Sequence, residues 1–94
     1  MNLITIAFEV KKEDQPAFIA MVGGLGDFFE KQGFTVSLFC DANRKTRFLQ
    51  TFLTDKDTDQ FVRIIQNQPS IRGMFEKIKE SGSRVVVSVM HQVV

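Results

Sequence analysis

The sequence predicts an α+β sandwich: a four-stranded antiparallel sheet with two helices on one face. Three observations lead there. Four segments alternate apolar and polar residues with period two, and two others carry apolar residues at helical spacing. Their order is strand, helix, strand, strand, helix, strand, which is the ferredoxin-like βαββαβ arrangement. The 94 residues are read as a single domain spanning 1–94. Scaffolds of this kind host many unrelated activities, so function has to be argued from a site.

The first strand is expected from Leu3 to Val10, with Ile4, Ile6, Phe8 and Val10 on one face. After the polar run KKED, Asp14 is a candidate N-cap and Pro16 suits a first helical turn. Phe18, Met21, Val22, Leu25, Phe28 and Phe29 then form a helical stripe that ends near Gln32, with Gly33 as the C-terminal cap. Gly23, Gly24 and Gly26 interrupt this stripe, and each costs about 1 kcal/mol against alanine. They mark a close helix–sheet contact, a kink, or a soft segment that opens a pocket. A phosphate-binding loop is excluded by the missing Lys-Ser/Thr and by the absence of a strand-to-helix turn.

The second and third strands are expected at Phe34–Asp41 and Thr46–Leu53, joined by a hairpin in which Asn43 suits a positive φ. Val36, Leu38 and Cys40 share one face, as do Phe48, Gln50 and Phe52. Thr54, Asp55 and Thr58 are candidate caps for the second helical region, where Asp55, Asp57 and Asp59 favour the positive end of the helix dipole. Phe61, Val62, Ile64 and Ile65 form one stripe. Pro69 breaks the pattern, Ser70 restarts it, and Ile71, Met74, Phe75 and Ile78 form a second stripe that stops at Ser81-Gly82. The last strand, Arg84 to Val94, is apolar on both faces, with Val85, Val87 and Val89 on one and Val86, Met90 and Val94 on the other. Helices cover one side of such a sheet, so an apolar second side calls for another subunit and a homodimer through the sheet faces.

Composition narrows the chemistry. All ten aromatic residues are Phe, with no Trp or Tyr, so no ring carries a polar tip. The formal net charge is +1, which disfavours a nucleic-acid or anionic-membrane surface. The single Cys40 excludes an intrachain disulfide and fits a reducing compartment. Neither a leader segment nor an apolar run of about 18 residues is visible. The expectation is a cytoplasmic protein with no membrane span.

Few residues are left to carry chemistry. His91 is the only histidine, and is either a polar strand-end residue or a general base or ligand contact. No second His, Cys or carboxylate cluster has ligand spacing around it, so no metal is expected. The three aspartates lack the glycine turn and distal acid of a calcium loop. Cys40 reads as a small buried residue rather than a nucleophile. Arg44, Lys45 and Arg47 read as a solvated hairpin. Gln50 lies between Phe48 and Phe52 on a buried face, where an unpaired amide costs about 1–3 kcal/mol. It bonds a neighbouring backbone group or water, or it is a polar group set in an apolar ligand pocket.

Over nearly its whole length the chain resembles the antibiotic biosynthesis monooxygenase-like family of the dimeric α+β barrel superfamily. The resemblance rests on element order, on a third strand running into an acid-capped helix (FLQTFLTDKDTDQF), and on the Pro-Ser interruption before an apolar helix (NQPSIRGMFEKI). It implies a homodimer with facing sheets and a cavity between each sheet and its helices. Members include cofactor-independent oxygenases of aromatic polyketides and haem-degrading enzymes. Where such members commonly hold a Trp, an Asn and a His, this chain has Phe52, Phe48 and Phe61, and Gln50 falls where a polar or acidic residue is common. The resemblance implies a small hydrophobic or aromatic ligand and no cofactor; for an oxygenase the candidates are Phe48, Phe52 and Phe61 as walls, Gln50 for orientation, and His91 as catalytic residue because it is the only side chain with an ordinary pKa near neutrality. The alternative is a non-catalytic ligand-binding or regulatory dimer of the ACT type.

Overall fold

The computed structural model describes residues 1–80 and 82–94. Its elements follow the expected order: β1 (Asn2–Glu9), α1 (Gln15–Lys31), β2 (Thr35–Cys40), β3 (Arg47–Thr54), α2 (Thr58–Asn67), α3 (Pro69–Glu80) and β4 (Val86–His91). The strands form one antiparallel sheet in the order β2-β3-β1-β4, the ferredoxin-like arrangement. β1 pairs Ile4 with Phe52, Ile6 with Gln50 and Phe8 with Phe48 on β3. On its other side it pairs Ile4 with Val89 and Ile6 with Val87 on β4. These side chains share the face that the helices cover, and the buried apolar residues of β1 and β3 all lie on it.

A single turn of 3-10 helix, Lys12–Asp14, leads into α1, so Asp14 enters already helical and its side chain makes no capping bond. α1 buries Phe18, Val22 and Phe29. Its end matches expectation. The N–H groups of Gln32 and Gly33 return to the carbonyls of Phe29 and Glu30, and Gly33 sits at φ 90°, a conformation only glycine adopts without strain. Lys56 reinforces this end by donating from Nζ to the Gln32 carbonyl at 2.7 Å. The close-contact reading of Gly23, Gly24 and Gly26 is corrected: α1 continues through them, and a Cβ at any of the three would meet no atom within 4 Å beyond its chain neighbours and its own helix backbone.

The β2–β3 hairpin is also built differently from expectation. Among the described residues no non-glycine has a positive φ, so Asn43 does not take the conformation expected of it. Asp41 builds the turn instead, its carboxylate accepting from the Asn43 N–H at 2.8 Å and the Arg44 N–H at 3.1 Å. These backbone bonds hold the Asp41 carboxyl below its ordinary 3.8, with desolvation opposing them and Arg47 and Arg44 adding lesser help. A depressed carboxylate stabilises the fold above its unfolded pKa and loses that contribution as pH falls through the folded value. Acidification below about 3.8 is therefore expected to weaken the hairpin turn. Amide shifts of Asn43 and Arg44 that follow the Asp41 titration would verify this, and pH-independent shifts would refute it.

The break in the second helical region is where the sequence placed it. Gln68 is extended between α2 and α3, and its carbonyl accepts from the N–H groups of Ile71 and Arg72. Pro69 itself opens α3, where its missing N–H costs nothing. Asp57 is the N-cap of α2, accepting from the Asp59 N–H at 3.2 Å. Thr54 is not a cap. It lies in β3, 1% exposed, donating to the Gly33 carbonyl and accepting from the Lys56 N–H. The expected helix end at Ser81 falls outside the described residues, while Gly82 has φ 87° and donates to the Lys79 carbonyl.

The core holds two groups of phenylalanines. Phe29, Phe34, Phe52 and Phe61 meet at one end, with Phe52 4.9 Å from Phe29 and 4.7 Å from Phe61 between ring centres. Phe8, Phe18 and Phe48 meet at the other, at 5.2 to 6.1 Å. Rings without polar tips pack edge to face in dry cores at no hydrogen-bonding cost.

Candidate functional site

α1 and the α2–α3 pair do not close over the whole sheet. Between α2, α3 and the β1–β4 side lies an open cavity of about 480 Å³. Strand parity supplies its floor: Ile4 and Ile6 from β1, and Val85, Val87 and Val89 from the β4 segment. Helical spacing supplies its wall, with Phe61, Val62 and Ile65 from α2 and Phe75 from α3. Arg72, Glu76 and Lys79, four and three residues apart, line the α3 side of the same cavity. Val87 and Val89 are 58% and 49% exposed although they face the helical layer, because β4 is the sheet edge that the helices leave uncovered.

Of the sequence-predicted wall residues, Phe61 lines this cavity and Phe48 and Phe52 do not. Both lie buried in the phenylalanine groups, at 5% and 2% exposure. Gln50 is 3% exposed and sits between them, directly opposite Ile6, one strand inward from the cavity floor. Among the described residues no hydrogen bond reaches its side-chain amide, and no fully buried side-chain nitrogen or oxygen is left unsatisfied. The amide therefore borders a solvent-accessible gap in the packing. Replacing it by leucine (Gln50→Leu) removes a poorly compensated polar group, and the expected result is a gain of about 1 kcal/mol. Thermal melting should read this as a rise of roughly 4–8 °C; a fall would mean that the amide is fully satisfied in solution.

His91 ends β4 on the same face as Val87 and Val89, opposite Asn2 on β1. It is exposed, and its Nδ1 meets Asn2 Oδ1 within hydrogen-bond distance. The Asn2 amide in turn donates from Nδ2 to the Lys56 carbonyl at 2.9 Å. The sequence reading missed Asn2 altogether, though its parity with Ile4 and Ile6 was there to be read. No group of three His, Cys, Asp or Glu suited to a metal ion exists among the described residues. Cys40 is not buried as expected: it is exposed at the end of edge strand β2, near the Lys45 carbonyl.

The opposite sheet face carries no helix. Pairing across all four strands lines up Ser37, Thr51, Thr5 and Ser88 as a row of hydroxyls. One apolar row, Phe39, Leu49, Ala7 and Val86, lies on one side of it, and Leu53, Leu3 and Met90 lie on the other. Phe39 and Met90 are more than half exposed, at 56% and 55%. The apolar second face expected from the last strand thus continues across the sheet as two apolar rows either side of the hydroxyls, with Glu9 and Arg47 at one end.

No protein-family model and no curated protein matches the sequence. Solved structures do. A candidate antibiotic biosynthesis monooxygenase from Deinococcus radiodurans superposes with a TM-score of 0.79 at 10% identity, covering 100% of this chain and 94% of its own. An antibiotic biosynthesis monooxygenase superposes at 0.71 with 16% identity, covering 98% and 99%. A conserved protein from Methanosarcina mazei Go1 gives 0.78 at 13%, covering 99% and 94%. This chain has the fold of the antibiotic biosynthesis monooxygenase-like proteins, as the resemblance implied. None of the helices among its described residues is long and apolar enough to cross a membrane.

Proposed function

We propose that this protein binds a small hydrophobic, aromatic molecule in the cavity between α2, α3 and the β1–β4 side of the sheet, as one half of a homodimer. The observation that carries the reading is the cavity itself. At about 480 Å³ it falls within the range of small-molecule sites, its walls are mainly aliphatic and aromatic, and its polar groups are few: Thr58 and Gln66 from α2 and Arg72, Glu76 and Lys79 from α3. An apolar floor and a Phe61 wall favour a flat, greasy ligand over a sugar or a phosphate. His91 lies beyond the cavity lining, two residues past Val89 on the same strand face, and with Glu76 on the α3 wall it is a group able to take a proton; an oxidation of a quinol or polyphenol by oxygen without a cofactor is the chemistry that such a base would serve. Gln50 would orient the ligand only where the ligand reaches past Ile6.

The open sheet face supports the dimer. Its two apolar rows would leave water together, and a row of hydroxyls, each donor and acceptor, is complementary to a second copy of itself. Oxygen consumption over a panel of quinols and naphthols, run beside thermal shifts with the same compounds, tests the function. Stabilisation with turnover supports oxidation. Stabilisation without turnover makes the protein a binding module of the regulatory kind. Neither response with any aromatic compound would remove the cavity reading.

A further inference from the structure

We propose that Asn2 is a positioning residue that fixes the tautomer of His91, keeping Nε2 unprotonated to accept the hydroxyl proton or hydrogen bond of a phenolic ligand. This rests on the cavity reading for the ligand but not for the tautomer. An asparagine amide can be turned either way, and its orientation follows from its partners. Here one partner is a backbone carbonyl, that of Lys56, which can only accept. The amide nitrogen must therefore face Lys56, and Oδ1 must face His91. An amide oxygen can only accept, so the atom that meets it, Nδ1 of the imidazole, carries the proton. In the neutral ring the second nitrogen, Nε2, then holds a lone pair.

That state is the opposite of the one a free histidine side chain prefers in water, where Nε2–H predominates. The hydrogen-bonded line from the Lys56 carbonyl through Asn2 to His91 does what a second partner does for catalytic and metal-bound histidines. It selects the tautomer and orients the ring. The placement adds the function. His91 lies two residues beyond Val89 on the strand face that floors the cavity, and Asn2 lies two residues before Ile4 on the paired strand. His91 and Asn2 lie outside the lining of the cavity itself, so the ligand that meets this base is a ring bound on Val87 and Val89 whose hydroxyl substituent extends past Val89 along β4.

The chain has one histidine, so its imidazole gives a single spin system. Long-range proton–nitrogen NMR of the full chain at mildly alkaline pH should show Nδ1 protonated and Nε2 pyridine-like in the wild type. Asn2→Ala should revert the ring to Nε2–H, while Asn2→Asp, whose carboxylate still accepts from Nδ1–H, should retain the wild-type tautomer. Titration with 1-naphthol should move the Nε2 resonance strongly and Nδ1 little. A wild-type ring found as Nε2–H, or an unchanged tautomer in Asn2→Ala with the native strand signals intact, would overturn the role of Asn2. Naphthol that shifts the Val87 and Val89 methyls but leaves Nε2 unmoved would overturn the role of His91. Naphthol that perturbs neither would sink the cavity reading while the tautomer result still decides the proposal about Asn2.

Discussion

Replacing Phe52 by alanine is expected to cost about 3–5 kcal/mol, the range for deleting a buried ring. Phe52 is 2% exposed and lies between Phe29 and Phe61, with Phe34 completing the group, so few neighbours can move in to fill the space. Domains of this length have a total stability of about 5–14 kcal/mol. The variant should therefore melt roughly 12–40 °C lower, and at the upper end it is partly unfolded at ambient temperature. Phe61→Ala is the informative comparison. Its ring also borders the open cavity, so the deletion extends existing space rather than creating a closed void, and the loss should be smaller. Equal losses by calorimetry would contradict the placement of the two rings.

Replacing Leu49 by glutamate is expected to convert a dimer into a folded monomer. Leu49 lies in the middle of the open sheet face, between Ala7 on β1 and Phe39 on β2. In a two-fold interface each substitution acts twice. Leu49 is 38% exposed in the single chain, so losing two such burials removes about 1–2 kcal/mol, a rise of about 5–30-fold in dissociation constant, and two uncompensated carboxylates add the larger part. Sedimentation at micromolar concentration should report a dimer for the wild type and a monomer for the variant, with far-ultraviolet circular dichroism unchanged. A wild-type monomer would remove the partner that this face is proposed to have.

Element order, the Gly33 cap and the Gln68–Pro69 break were legible because each follows from local chemistry: apolar period, a C-terminal glycine, a proline without its N–H. The misplaced features share a different cause. Cys40 and the valines of β4 have the inward parity that was read for them, but parity does not say which strand is at the edge. The strand order β2-β3-β1-β4 puts both at an edge, and there an inward side chain stays exposed. The same order sets Gln50 on β3, one strand inside the cavity floor, so a residue correctly read as buried does not line the space expected around it. Asn43 was misread because glycine-like turn propensity competes with an aspartate that builds the turn from ordinary φ values. Asn2 becomes meaningful only once β1 and β4 are seen to pair.

The edge position of β4 also governs how the molecule fails. Its outer row of backbone donors and acceptors has no neighbouring strand, and its sequence, Val86-Val87-Ser88-Val89-Met90, combines high β-propensity with no charge and no proline. Both of its faces are accessible in the single chain. A protein so built does not unfold quietly. Chains loosened by heat or denaturant present this edge as a ready template for strand addition, and insoluble aggregate competes with refolding. The apparent melting temperature should then depend on scan rate and concentration, and a charged residue at Val87 should delay precipitation.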